Sequence, residues 1–281
     1  MRAGLVQLTV GDLPVENVAP VRAAVRAAIA GGAGFVLTPE CTNGISADRQ
    51  HQHRVLTEEA ADPVLSMLRN EAARAGVWVL AGSVIVKTGD ATDDRFANRS
   101  VLIGPDGAVA ARYDKIHLFD VQVSETETYR ESAGIRPGDR AVLAQTPFAA
   151  LGMTICYDIR FPHLYRALAQ AGAQVLTVPA AFSPVTGAAH WETLLRARAI
   201  ETGCYVLAPA QTGTHPQTTG RVRATHGHSL AVAPWGEVLA DAGTQPGVVY
   251  ADLDLEAVRS ARARVPSLTH DRPHAPPEPA A

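Results

Sequence analysis

Gly152-Met153-Thr154-Ile155-Cys156-Tyr157-Asp158-Ile159-Arg160-Phe161-Pro162 is the stretch whose reading decides the fold of this chain. The uncharged run from Leu151 to Cys156 reads as a buried strand. Pro162 suits the first turn of a helix, where its fixed φ fits and its missing N–H leaves no bond unmade. A strand that turns sharply into a helix is the repeating unit of an α/β domain, and such a turn displays a side chain at the strand's end. Cys156 therefore stands where a nucleophile is best presented. The plainer alternative is a buried structural cysteine, which suits Cys41 and Cys204 better.

Working outward, further apolar, β-branched runs read as strands: Leu5 to Val10, Phe35 to Thr38, Val77 to Val86, Ser100 to Ile103, Gln174 to Val178, Tyr205 to Ala208 and Val248 to Leu253. Helical spacing appears in Val15 to Ala30, Thr57 to Ala75, His163 to Ala171 and Ala189 to Thr202, with Gly31, Gly76, Gly172 and Gly203 at or just past their ends. Strands and helices thus alternate, and the strands carry almost no charge, as expected of a sheet covered on both faces. The turn signals Pro105-Asp106-Gly107 and Pro234-Trp235-Gly236-Glu237 add hairpins, so the sheet is expected to be mixed. With no repeat at a fixed period and no Ser/Gly linker, residues 1–265 read as one domain. Pro266, Pro273, Pro276, Pro277 and Pro279 mark 266–281 as an extended or disordered arm, or one that packs on a second subunit.

Composition removes several classes of function. The 281 residues carry 25 Lys plus Arg against 28 Asp plus Glu, a net charge of −3 that offers no general attraction to nucleic acid or anionic lipid. The longest uncharged stretches, such as Ala171 to Ala189 with its Pro179 and Pro184, make poor membrane spans, so no membrane partner is expected. Arg2 precedes Leu5-Val6-Gln7-Leu8 without the apolar core of a signal peptide, and the expected compartment is the cytoplasm. Three widely spaced cysteines imply no disulfide framework. The pairs His226-Gly227-His228 and His51-Gln52-His53 lack metal-site spacing, and Gly31-Gly32-Ala33-Gly34 lacks the features of a phosphate loop. Neither metal nor cofactor is expected.

Two further segments carry chemistry. In Leu37-Thr38-Pro39-Glu40 a strand runs straight into a carboxylate, at the strand end where α/β folds place active-site groups. Tyr113-Asp114-Lys115-Ile116-His117-Leu118 holds one of only two lysines in a chain that otherwise uses arginine as its cation. A thiol, a carboxylate and an ammonium form a workable nucleophilic set.

Thr38-Pro39-Glu40, Asp114-Lys115-Ile116-His117-Leu118 and Ile155-Cys156-Tyr157-Asp158-Ile159-Arg160-Phe161-Pro162 resemble, in that order, the three motifs of the nitrilase, or carbon-nitrogen hydrolase, superfamily. Thr186-Gly187-Ala188-Ala189-His190-Trp191-Glu192 and Gly227-His228-Ser229 extend the likeness, which runs from Val6 to about Pro266 and is greatest to the branch of deaminated glutathione amidase and ω-amidase. The resemblance implies a four-layer αββα sandwich, a homodimer or higher homo-oligomer, and a small-molecule amide as substrate. It also implies Glu40 as general base, Lys115 as the cation at the tetrahedral intermediate, Cys156 as nucleophile, and Glu131 as a second glutamate that positions Lys115 or the substrate nitrogen. The Tyr157 N–H would complete the oxyanion site, and Lys115 would favour the thiolate. Phe182 and Thr186 resemble pocket-lining positions. Arg160 is left with two roles, binding a substrate carboxylate or pairing with Asp158. A nitrilase, an N-carbamoyl amidase, an aliphatic amidase and a silent scaffold stand as alternatives.

Overall fold

The computed structural model describes residues 1–123 and 128–277. Two six-stranded sheets form its centre. The first contains β1 (Arg2–Gln7), β2 (Phe35–Leu37), β3 (Trp78–Lys87), β4 (Phe96–Ile103) and β5 (Val109–Asp114), with β16 (Gly247–Asp252) at its far edge, in the order β16-β1-β2-β3-β4-β5. The second contains β8 (Val142–Gln145), β9 (Ala150–Met153), β10 (Val175–Thr177), β11 (Tyr205–Ala208), β14 (Leu230–Val232) and β15 (Val238–Asp241), in the order β15-β14-β11-β10-β9-β8. Two hairpins stand outside these sheets: β6 (Asp120–Gln122) with β7 (Thr128–Arg130), and β12 (Thr212–His215) with β13 (Arg223–His226).

The two sheets share one plan. Each has three parallel strands, β1-β2-β3 or β9-β10-β11, with one antiparallel strand beyond the first and two beyond the third. No fixed-period repeat is visible in the sequence, because this equivalence lies in topology while the loops differ in length. Helices α1 (Pro14–Ala30) and α3 (Pro63–Ala75) cover the first sheet, and α4 (Pro162–Gln170) and α5 (Pro184–Thr202) cover the second. The short α2 (Arg49–Val55) and the C-terminal α6 (Leu255–Arg264) complete the set.

Strand alternation builds the layers. Leu5, Phe35, Leu37, Leu80 and Leu102 point to the core shared with Leu151, Met153 and Val175 of the other sheet. Their neighbours Val6, Val36, Val79 and Val101 point outward beneath Val21, Val25, Leu65 and Leu68 of α1 and α3. A period of two along each strand thus feeds two cores, which is why these strands read as continuous apolar runs. The result is a four-layer αββα sandwich.

Local departures from the sequence reading have physical causes. The strand expected to reach Cys156 stops at Met153, because Cys156 adopts φ 49°, a left-handed conformation no strand can hold. The helix expected from Thr57 starts at Pro63, capped by Asp62 Oδ1, which accepts from Leu65 N at 2.7 Å. Helix α5 starts at Pro184, ahead of the expected Ala189, with Ser183 Oγ capping Thr186 N at 3.3 Å. The arm following Pro266 folds back onto α4 as far as Asp271: Arg166 Nη2 donates to Ser267 O at 2.8 Å, and Gln170 Nε2 to Leu268 O at 3.0 Å. Residues 278–281 of the arm lie outside the described residues.

Candidate active site

Cys156, Glu40, Lys115 and Glu131, which are spread over more than ninety positions of sequence, converge on one cavity of about 380 Å³. That volume is suited to a small-molecule ligand. Three of the side chains come from the two sheets, Glu40 following β2, Lys115 following β5 and Cys156 following β9, while Glu131 follows β7 of the separate hairpin. The strand-end placement inferred for Glu40 and Cys156 is where parallel strands open onto a crevice.

Cys156 opens a tight 3₁₀ turn, Cys156–Arg160, and its N–H donates to Pro179 O at 2.9 Å. A non-glycine residue at φ 49° costs about 1–3 kcal/mol, and such strain is kept only where the surroundings over-determine it. Asp158 supplies that determination. Its buried carboxylate accepts from Ile155 N at 2.9 Å, Tyr113 Oη at 2.6 Å, and His117 N and Nδ1 at 3.0 and 2.7 Å. One carboxylate thus ties the cysteine turn to the segment bearing Lys115. Asp158 does not pair with Arg160, which answers one of the two roles open for that arginine.

Glu40 is 3% exposed and fully engaged. Its Oε1 accepts from Lys115 Nζ and Asn98 Nδ2, both at 2.9 Å, and its Oε2 accepts from Ala181 N at 2.9 Å. Lys115, 1% exposed, also donates to both oxygens of Glu131, at 3.0 and 2.9 Å. Glu131 Oε2 accepts from Phe119 N at 2.6 Å, so this carboxylate is a fixed part of the cluster rather than a solvated loop residue. An ammonium has three N–H donors. Three carboxylate oxygens occupy all three, two of them on Glu131, so an incoming oxygen would take the place of one Glu131 contact.

Burial penalises every charge here, so the neighbours decide each protonation state. Burial pulls the Glu40 carboxyl upward, but Lys115 and the hydrogen bond from the Cys156 thiol outweigh it and hold Glu40 below the usual carboxylate range. Burial pulls Lys115 down, and Glu131 and Glu40 together hold it well above an ordinary lysine. For Cys156, burial and the Glu40 charge act together, overwhelm Lys115, and hold the thiol well above its usual value. Lys115 does act on the thiol in the expected direction, but burial and Glu40 outweigh it. At rest the group is a thiol hydrogen-bonded to a carboxylate, poised to lose its proton only as it attacks.

Tyr157, Phe182 and Thr186 line the cavity as expected, whereas Arg160 does not. Its guanidinium lies 5.8 Å from the Tyr157 ring centre and 5.6 Å from that of Phe182, and its Nη2 is 3.3 Å from His190 Nδ1. Arg160 thus backs two rings of the wall. Sequence reasoning missed Asn98, whose Nδ2 bridges Glu40 at 2.9 Å and Glu131 at 3.3 Å, and Arg223, which also lines the cavity. Asn98 stands in the polar Asn98-Arg99-Ser100 stretch of the Phe96–Ile103 strand and offered no signal that sets it apart from its neighbours. Cys41 lines the cavity beside Glu40, but burial pushes its thiol far up. Among the described residues, no group of three or more His, Cys, Asp or Glu is arranged to hold a metal ion.

A strained cysteine beside a buried Glu–Lys–Glu cluster, at the junction of two sheets in an αββα sandwich, defines a carbon-nitrogen bond hydrolase. The carbon-nitrogen hydrolase family model matches residues 2–263, and the chain belongs to that family. It is 40% identical over 270 residues to a deaminated glutathione amidase of Synechocystis sp., covering 95% of this chain and 97% of that relative. It is 35% identical over 271 residues to an omega-amidase of Bos taurus, covering 96% and 95%. The C. elegans NitFhit protein superposes with a TM-score of 0.87 at 34% identity, over 96% of this chain and 65% of that longer one. The protein is an amidase.

Proposed function

We propose that the chain hydrolyses the amide bond of deaminated glutathione, an acidic amide with a 2-oxo acid at one end and a peptide carboxylate at the other. The observation that carries this reading is the charge of the cavity wall. Among the described residues, Arg49, Lys115, Arg130 and Arg223 line it against Glu40 and Glu131, a surplus of positive charge suited to a substrate with more than one carboxylate. The similarity to relatives named for this activity supports the same choice. An ω-amidase acting on 2-oxoglutaramate is the second reading, favoured by the omega-amidase relative, and its substrate shares the 2-oxo acid end.

In this mechanism the Cys156 thiol gives its proton to Glu40 as Sγ bonds to the amide carbon. The carbonyl oxygen takes up negative charge and is met by the Tyr157 N–H and by a Lys115 hydrogen released from one of the two Glu131 oxygens. Glu40 then hands the proton to the departing nitrogen, which could not leave as an anion, and a thioester remains on Cys156. A water gives a proton to Glu40 and attacks the thioester. When that second intermediate collapses, Sγ recovers the proton and the acid is released. Losing one oxyanion donor typically costs about 10²- to 10³-fold in turnover.

Glu131 holds Lys115 in place and leaves it less free to settle on Glu40 alone. Glu131→Gln is therefore expected to lower kcat about 10²-fold while KM changes little, since it weakens a group used in the transition state. Near-normal kcat in that variant would remove the role. Incubating purified protein with deaminated glutathione and with 2-oxoglutaramate, and following 2-oxoglutarate release, tests the reading as a whole. Preference for the peptide is the expected result, preference for the smaller amide selects ω-amidase, and release from neither overturns both. A reduced thiol nucleophile and exposed apolar side chains at Ile200 and Trp235 support a cytoplasmic homodimer as part of this proposal.

A further inference from the structure

Arg223 is a cation of this cavity with a buried donor left unpartnered among the described residues, whereas Arg130 is exposed to solvent. Lys115 is held by two carboxylates, and Arg49 by Asp94 at 2.7 Å and by the Ala133 carbonyl. Arg223 Nη2 donates to Ala181 O at 2.7 Å, its guanidinium lies 5.7 Å from the Tyr129 ring centre, and its Nε is buried without a hydrogen-bond partner among the described residues. No ion pair joins it to a carboxylate among those residues. A buried orphan donor in a native protein calls for an explanation, and a guanidinium short of one carboxylate is built to receive one.

Its support is rigid. Arg223 opens β13, paired across the hairpin with His215. His215 is buried, accepts or donates at both nitrogens (Val10 O and Thr225 Oγ1, each 2.8 Å), and is held neutral because burial pushes it down to about 4. A side chain fixed at both its strand and its Nη2 loses little freedom when it takes a ligand.

Position supplies the specificity. In the mechanism above, Cys156 meets the carbon, Lys115 the oxygen, and Glu40 the nitrogen of the scissile amide. Glu40 Oε2 accepts from Ala181 N, and Arg223 hangs on the carbonyl of that same residue, so it lies one residue's width beyond the general base. What is bonded to the departing nitrogen extends toward Arg223. The geometry points to Arg223 as the anchor for a carboxylate on the amine portion of the substrate, the residue that selects peptide-like amides over primary amides. The assignment rests on the proposed amidase activity toward 2-oxo acid amides.

The test uses three substrates sharing one 2-oxoglutaryl group: the primary amide, a dipeptide conjugate ending in a free carboxylate, and the same conjugate ending in a carboxamide. The wild-type protein is expected to favour the free acid over the carboxamide by about 10- to 100-fold in kcat/KM, chiefly through KM, as for loss of hydrogen bonds to a charged group. In Arg223→Gln that preference is expected to shrink to within about threefold, with Arg223→Lys restoring part of it through charge alone. Melting temperatures of both variants show that the fold is kept. A wild type indifferent to the carboxylate, a glutamine variant that keeps the preference, or an equal fall on all three substrates would overturn the assignment. A wild type inactive on all three would instead overturn the proposed function, and the assignment with it.

Discussion

Lys115→Met is expected to lose both turnover and stability, and the second loss is the more informative. Glu40 and Glu131 would be left around Asn98 Nδ2, which donates to them at 2.9 and 3.3 Å, with no cation between them. Breaking a buried ion pair from one side costs about 3–5 kcal/mol, because the surviving charge stays desolvated. Turnover is expected to fall by at least about 10²- to 10³-fold as the oxyanion loses its charged donor. The deficit has a pH signature. Without Lys115, the burial that pulls the Glu40 carboxyl upward would lose its main opponent and raise that group in the folded state above its unfolded value. Such a group destabilises once pH exceeds the unfolded carboxylate range, so the deficit should shrink in acid and grow toward neutrality. Urea unfolding of both proteins at about pH 4 and pH 7 measures it. A pH-independent deficit would mean that the Glu40 carboxylate does not depend on Lys115.

Cys156→Ala is the other large effect, and it separates chemistry from fold. In the proposed mechanism Sγ of Cys156 carries the acyl group, and without it hydrolysis is expected to fall by at least about 10⁴-fold. Stability should barely change, since alanine occupies the same strained backbone position and the lost thiol contributes one hydrogen bond to Glu40. Rapid quenching followed by intact-mass measurement should reveal an acylated wild-type protein and none in the variant. Turnover surviving above about one part in 10⁴ would rule out a thioester at this position.

Much of the scaffold was legible from local pattern. Phe35 to Thr38 and Tyr205 to Ala208 read as strands because both of their faces are buried, and Gly76 and Gly203 read as helix ends because each adopts a left-handed φ, 65° and 59°. Short or polar elements were not legible. Strands β8, β12 and β13 span four residues each, and β12 carries Thr212, Gly213, Thr214 and His215, so tertiary pairing rather than residue preference makes them strands. Helix α6 was missed because its charged sequence buries only Val258 and Ala261.

The site divides along the same line. Glu40 and Cys156 each follow a strand legible in the sequence, and Lys115 stands out as one of only two lysines. Asn98 and Arg223 owe their importance to Glu40, Glu131 and Ala181, partners 33 to 58 positions away, and no local window contains that information. The balance of effects on the Cys156 thiol was not legible for a related reason. It depends on how completely the thiol is buried beside Glu40, which becomes visible only once the two sheets are stacked.

That stacking makes the chemistry a property of a seam. The base and the ammonium belong to one sheet, the thiol and the Ala181 N–H to the other, and each sheet keeps its own helical cover. A slip between the sheets by a single ångström would leave every helix and strand intact, yet misplace reacting atoms enough to cost about 10²-fold in rate. Turnover is therefore the most sensitive gauge of how this molecule is held together, and a sample that has lost it while retaining its helices and strands has come loose in the middle.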